Sequence, residues 1–296
     1  MSQKWINFWI GFWEVPTCKL LCTLFKWKKK LGLIKKATDD YIEDRDLTFS
    51  EDFNEPLDEQ IWNYTQPTWN QYMPAQKTLF TKDSCIIKDS ILTFMVKKEH
   101  GHHEGWDGNG DYEYKTGAIH TNYANEYGIK GFSQKFGRFE LKAKPSNIRG
   151  TWGAFWLLSH RLDIPTKTEI LPEIDIIENF GGEAKNQKNL DLQFTVHYGS
   201  EYNSPDKRSD FSFVKNVNFS DEFYIFALEW DEKKIKWYIN DNLVKVSSFK
   251  KMSVLDRPLY NMFIVINDCA RPEFMSEMKE GESFEGMKVD WVRVYQ

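Results

Sequence analysis

Long apolar runs are missing from this chain. Nowhere does it offer the roughly 20 consecutive apolar residues that a helix needs to cross a bilayer, so no membrane-spanning helix is expected. Cysteine is scarce. The four, Cys18, Cys22, Cys85 and Cys269, fit neither a paired CxxC zinc site nor a disulfide-dense scaffold and read as free thiols. A bridge between Cys18 and Cys22, four residues apart on a helix, would be strained. A basic surplus is lacking as well. The net charge is −5, and residues 1–36 hold eight Lys and one Glu, a balance of +7, which leaves −5 − 7 = −12 for the rest. So acidic a body is a poor binder of nucleic acid, whose phosphates need clustered Lys and Arg, and it disfavours a heavily sulfated ligand. Beyond residue 46 there is no internal repeat and no long helical period, which argues against solenoid and α/β architectures.

Aromatic residues, by contrast, are abundant, at 16% of 296 residues. Such rings suit strands and cores, and they also suit clefts whose flat walls stack on flat ligands such as sugar rings. From Leu47 onward, short β-branched and aromatic runs alternate with Gly, Asn, Asp and Pro. The spacing predicts strands over 86–96, 136–143, 190–198, 223–230, 234–239, 259–266 and 287–295. Without helices between them, these strands predict an all-β chain, a curved antiparallel sandwich built as one unit over residues 46–296. The Asn240-Asp241 pair predicts a tight hairpin.

Residues 1–45 read as a basic amphipathic leader followed by an acidic linker. The aromatic run from Trp5 to Trp13 gives way to Glu14, Pro16 and Lys19 with no small-residue cleavage site, so a conventional secretory signal is not expected. After Pro16, Leu20, Leu24, Trp27, Leu31 and Ile34 recur at steps of four and three while Lys fills the other faces. Residues 17–36 thus form a helix that either lies on an anionic membrane or a partner, or docks on the protein's own body. Dispensability of residues 1–45 for catalysis is a further expectation.

The stretch Glu173-Ile-Asp-Ile-Ile-Glu178 carries the chemistry. Alternation on a strand points Glu173 and Asp175 to one face, and one extra residue, a bulge at Ile176 or Ile177, brings Glu178 to the same face. Glu173 and Glu178 then lie about 13 Å apart at their Cα atoms, at ~3.3 Å per residue. Long side chains leaning together close that to the roughly 5–5.5 Å of a retaining double displacement. Three carboxylates on one face repel, so at least one should hold a proton near neutral pH. Spacing alone leaves open an ordinary half-buried strand with acids on its wet side.

With the preceding Gly150-Thr-Trp-Gly-Ala-Phe-Trp156, this segment resembles the active-site signature of family 16 glycoside hydrolases in its bulged form. The similarity runs on through Phe49–Asn54, Phe136–Glu140, Leu228–Trp230, Trp237–Ile239 and Val289–Tyr295. The resemblance implies a β jelly roll with an open substrate cleft, Glu173 as nucleophile, Glu178 as acid/base and Asp175 as their assistant. It also implies sugar contacts from Trp152, Trp156, His197 and Asn267, with Trp152 the better stacking platform. The implied activity is endo-hydrolysis of a β-linked polysaccharide by a monomer, without a cofactor and outside the cell or at its surface. A β-1,3-glucan comes first, with red-algal galactan, transglycosylation or a non-catalytic sugar-binding sandwich as alternatives. A structural calcium on the convex face is implied too, with Glu51 and Asp290 at the matching positions. The loop 99–111 mimics the start of a calcium loop, but Tyr112 replaces the turn Gly and Ala118 the bidentate Glu, so it reads as a flexible Gly-rich loop bordering the cleft. Thr116-Gly117-Ala118 and Asn267-Asp-Cys-Ala-Arg271 depart from the Ser-Gly-Arg and Asn-x-Ala-x-Gly-Gly of laminarinase-like members, which bears on the substrate.

Overall fold

The computed structural model describes residues 14–65, 71–105, 108–125, 128–159, 172–181, 190–198, 208–251 and 258–296. Two large sheets face each other. The inner sheet runs Ser133–Gln134, Met262–Asn267, Trp152–Ser159, Glu173–Phe180, Leu190–Tyr198 and Arg208–Val217, all antiparallel. The outer sheet opens with the edge strand Asn242–Ser248 and continues through Lys234–Ile239, Tyr224–Trp230, Gly137–Lys144, Ser283–Tyr295, Ile91–Gly105 and Gly108–Thr116.

Period-two alternation decides which face of each strand is buried. On Leu190–Tyr198, Leu192, Phe194 and Val196 enter the space between the sheets, while Gln193, Thr195 and His197 face away from it. Phe139, Leu141, Phe226, Leu228, Trp237, Val292 and Val294 meet them from the outer sheet. Trp237 spans the core and donates its indole N–H to the carbonyl of Asp175 at 2.9 Å. A sandwich of this kind leaves the far face of the inner sheet free to line a cleft.

The strands at 190–198 and 234–239 fall where the sequence places them, and Asn240 and Asp241 make the tight turn with φ of 43° and 60°. Two expectations need correction. The run 86–96 is two strands, Cys85–Lys88 and Ile91–Gly105, because Asp89 and Ser90 adopt φ of 50° and 59° and reverse the chain. The segment 99–111 is not a flexible loop: its described residues are the arms of a paired hairpin. Gly101 and Gly110 sit there because Tyr112 and Tyr72 lie against their backbones where a Cβ would go.

The helix Glu14–Lys30 packs on Asn242–Ser248 and Arg208–Val217, the edge strands of the two sheets. Leu21, Cys22 and Phe25 are buried there, and Phe25 stacks on Phe219 at 6.1 Å. Lys28 reaches Asn242 at 3.0 Å and Lys29 reaches Asp221 at 3.2 Å. The following segment is tied down too, through Asp39, which accepts from Lys142 at 2.6 Å and from the Trp291 indole at 2.9 Å. Of the alternatives left open by the sequence, docking on the protein's own body accounts for one face of this helix. It also covers unpaired backbone that would otherwise invite another chain.

Candidate active site

The extra residue expected in Glu173–Phe180 is Ile176: Phe155 pairs with Ile177 and Trp156 with Asp175, leaving Ile176 unopposed. Ile174, Ile176 and Ile177 all enter the core, and the three acids face the cleft. Register then builds three parallel rungs across the sheet. Phe263, Leu158, Glu173 and His197 form the first. His120, Val265, Trp156, Asp175 and Thr195 form the second. Ala118, Asn267, Ala154, Glu178 and Gln193 form the third. Neighbours on adjacent strands sit close enough for side-chain contact, so each acid has defined flankers.

His197 places Nε2 3.2 Å from Asp175 Oδ2 and 3.7 Å from Glu173 Oε1. Glu178 is held from both sides. Its Oε1 accepts from the Trp152 indole at 3.1 Å, and its Oε2 accepts from Gln193 Nε2 at 2.7 Å and Thr195 Oγ1 at 3.3 Å. Burial pushes Glu173 well above the usual carboxylate range, and the Asp175 charge adds to it. Asp175 is likewise raised by burial and by Glu178. Burial also raises Glu178, against the pull of His197 and its three hydrogen-bond donors. All three shifts run toward proton retention, the direction that a general acid in the cluster needs.

Trp152 is half-buried and stacks on Phe180 at 5.5 Å. Trp156 is buried among Ala154, Leu158, Phe263 and Val265 on the cleft face, and its indole donates to Asn267 Oδ1 at 2.8 Å. These two therefore differ: Trp152 belongs to the wall and Trp156 to the floor, with the Asn267 carbonyl oxygen occupied in holding it. Ala118 stands in the Glu178 rung and packs with Phe80 and Cys269, beside Met73 and Trp152. That end of the cleft is apolar.

Sequence reasoning missed several contributors. Gln193 and Thr195 were signalled only by their polar alternation with His197. Lys245 is fully buried between the sheets, donates to the Phe194 carbonyl at 2.9 Å, lies over the Trp237 ring and favours the ionised form of Asp175. Asp268 is fully buried and accepts three backbone N–H groups, from Met287 at 2.8 Å, Cys269 at 2.9 Å and Trp152 at 3.2 Å. It thereby fixes the start of the strand that carries Trp152.

Glu51 and Asp290, the positions implied for a calcium, both have protein partners. Glu51 accepts from Phe53 N at 2.9 Å and Trp62 Nε1 at 3.0 Å, and Asp290 pairs with Lys142 at 2.8 Å. Among the described residues the one trio of metal-binding spacing is Glu173, Asp175 and His197. None of the four cysteines forms a disulfide.

Comparison with known proteins shows the family and the fold. The sequence model described as "Beta-porphyranase A-D, GH16 domain" matches residues 45–296. The chain belongs to this branch of glycoside hydrolase family 16. Endo-1,3-1,4-beta-glycanase EglC of Rhizobium meliloti (strain 1021) is 27% identical over 239 residues, 80% of this chain and 43% of that protein. Glucan endo-1,3-beta-glucosidase A1 of Niallia circulans is 24% identical over 288 residues, 89% of this chain and 39% of that protein. This chain thus spans less than half the length of either relative. The catalytic domain of an endo-1,3-beta-glucanase (laminarinase) from Thermotoga petrophila RKU-1 shares the fold, with a TM-score of 0.65 at 22% identity over 86% of this chain and 99% of that one.

Proposed function

We propose that this chain is a retaining endo-glycosidase that hydrolyses internal β-linkages of a polysaccharide. The observation that carries the reading is the set of three rungs, which puts Glu173, Asp175 and Glu178 on one face of one strand beside an aromatic wall. In this reading the Glu173 carboxylate attacks the anomeric carbon while Glu178 gives its proton to the leaving oxygen. Water then attacks the glycosyl-enzyme, returns a proton to Glu178 and frees Glu173. Asp175, in reach of His197, sets the charge and orientation of the nucleophile. Trp152 supplies a ring face for a sugar while its indole N–H orients Glu178.

A β-1,3-glucan is the first substrate, supported by the names of the relatives and by the uncharged, apolar cluster around Ala118 at the end of the Glu178 rung. A galactan is the second reading, favoured by the match to the β-porphyranase branch. Incubation of the purified protein with a panel of β-glucans and red-algal galactans, products being sized, separates the two. A proton NMR time course on the cleaved substrate should show the new reducing end first as the β-anomer. An initial α-anomer, or single sugars released from chain ends, overturns the reading.

A further inference from the structure

The N-terminal helix has two apolar faces, and only one is used by the sandwich. Phe25 is 1% exposed on the docked side, whereas Leu20, Trp27 and Leu31 are 57%, 57% and 51% exposed. At ~100° per residue, Leu20, Leu24, Trp27 and Leu31 fall within a stripe about 60° wide, roughly 140° around the helix from the docked face. Leu33, at 59% exposed, extends the patch past the helix end. A helix that only capped the sandwich would carry polar residues here.

Charge is sorted in the same way. Lys19, Lys26 and Lys30, seven and four residues apart, form a row along one flank of the stripe. Lys35 and Lys36 follow in the exposed segment beyond it. Lys28 and Lys29 instead bind Asn242 and Asp221 of the sandwich. Residues 37–296 carry −12, so the helix is the positive pole of an otherwise acidic molecule.

From this arrangement we propose that the outward face of the Glu14–Lys30 helix seats on an anionic lipid surface, which holds the catalytic sandwich at a membrane. The stripe is a ridge, not a groove, which fits the plane of a bilayer interface better than a peptide partner. Leu and Trp enter the headgroup boundary, the lysine row meets the lipid phosphates, and the acidic body is repelled, which fixes the orientation. The docked face need not be released, because Leu21, Cys22 and Phe25 point the other way.

The test uses the full chain with vesicles of phosphatidylcholine mixed with phosphatidylserine, against phosphatidylcholine alone. Co-sedimentation should require phosphatidylserine and weaken steadily as salt rises. A Leu20→Gln/Trp27→Gln/Leu31→Gln variant and a Lys19→Glu/Lys26→Glu/Lys30→Glu variant should each lose binding by about ten-fold or more, with thermal stability and hydrolysis of soluble substrate unchanged. Quenching of tryptophan fluorescence by brominated lipid should fall in Trp27→Leu while binding remains. If the full chain ignores the anionic vesicles, or if the apolar triple variant binds as well as the parent, the proposal fails. It fails equally if the parent self-associates without lipid and the triple variant does not, since the stripe then joins two copies of this chain.

Discussion

Trp152 and Glu178 meet at 3.1 Å through the indole N–H and Oε1, and the backbone N–H of the same Trp152 lies 3.2 Å from Asp268 Oδ1. One residue thus ties the Glu178 carboxyl to a buried anchor on the other side of its own strand. The wall of the cleft and the setting of the acid are one structure.

This coupling gives a pH prediction. The donors Trp152, Gln193 and Thr195 favour ionised Glu178, so their removal raises its pKa further. Trp152→Phe and Gln193→Leu should each shift the alkaline limb of the kcat/KM profile to higher pH, because the acid must be protonated to act. A downward shift in either variant contradicts the assignment of Glu178 as acid.

Glu173→Gln and Glu178→Gln should each lower kcat by about three orders of magnitude or more in a folded protein. Azide offered to Glu173→Ala should yield a glycosyl azide of inverted configuration, since the small anion occupies the space of the lost nucleophile. Asp175→Asn should cost less than either Glu change, because Asp175 tunes the acids without bonding to the sugar. A larger loss for Asp175→Asn reverses that order of roles.

Asp268 should make stability fall as pH rises. Burial lifts its pKa from 3.8 to about 7, so the folded state binds a proton more tightly than the unfolded chain. The stability is therefore fully present below the unfolded pKa and is lost through the window that ends near 7. Asp268→Asn should flatten that part of the curve relative to the parent. It should also cost about 1–3 kcal/mol, since its amide nitrogen faces the Met287 N–H where an oxygen accepted. Urea melts at several pH values read both effects, and an unchanged slope refutes the first.

Phe25→Ala should destabilise the protein by about 3–5 kcal/mol, the usual cost of emptying a buried aromatic site. A chain starting at Asp46 should lose more, because it uncovers Phe219 and removes the Asp39 bonds to Lys142 and Trp291. Residues 1–45 touch none of the catalytic acids in the described structure, so the turnover number per folded molecule should stay the same. Denaturant midpoints and active-site titration separate the two quantities; an unaltered midpoint for the shortened chain shows that the helix only rests on the sandwich.

The acids were legible in the sequence because strand parity is local: counting residues and allowing one bulge suffices to put Glu173, Asp175 and Glu178 on one face. The sandwich class was legible for the same reason. What escaped depends on contacts distant in sequence. Nothing near Asp268 announces that Met287 and Trp152 will both donate to it, and Lys245 looks like an ordinary solvated strand lysine until Trp237 and Phe194 enclose it. The turn at Asp89-Ser90 was missed because its two left-handed residues, in the short polar break Lys88-Asp89-Ser90 between apolar runs, include no glycine to signal a positive φ. Half of the helix was read correctly as an apolar stripe, but Phe25, which does the docking, lies outside that stripe.

The unopposed Ile176 has a consequence at the level of the gene. It adds one codon to the strand without changing which face the acids share. Deletion of that codon leaves Glu-Ile-Asp-Ile-Glu, in which plain alternation brings the last acid to the same side. Insertion of a second codon at the same point also restores plain alternation, but it carries that acid one rung further along the strand, opposite Trp152 instead of Ala154. The acids keep one face after either length change but keep their spacing only after the deletion, an asymmetry that a scan of single-codon insertions and deletions across residues 173–178 would reveal as function retained on one side only.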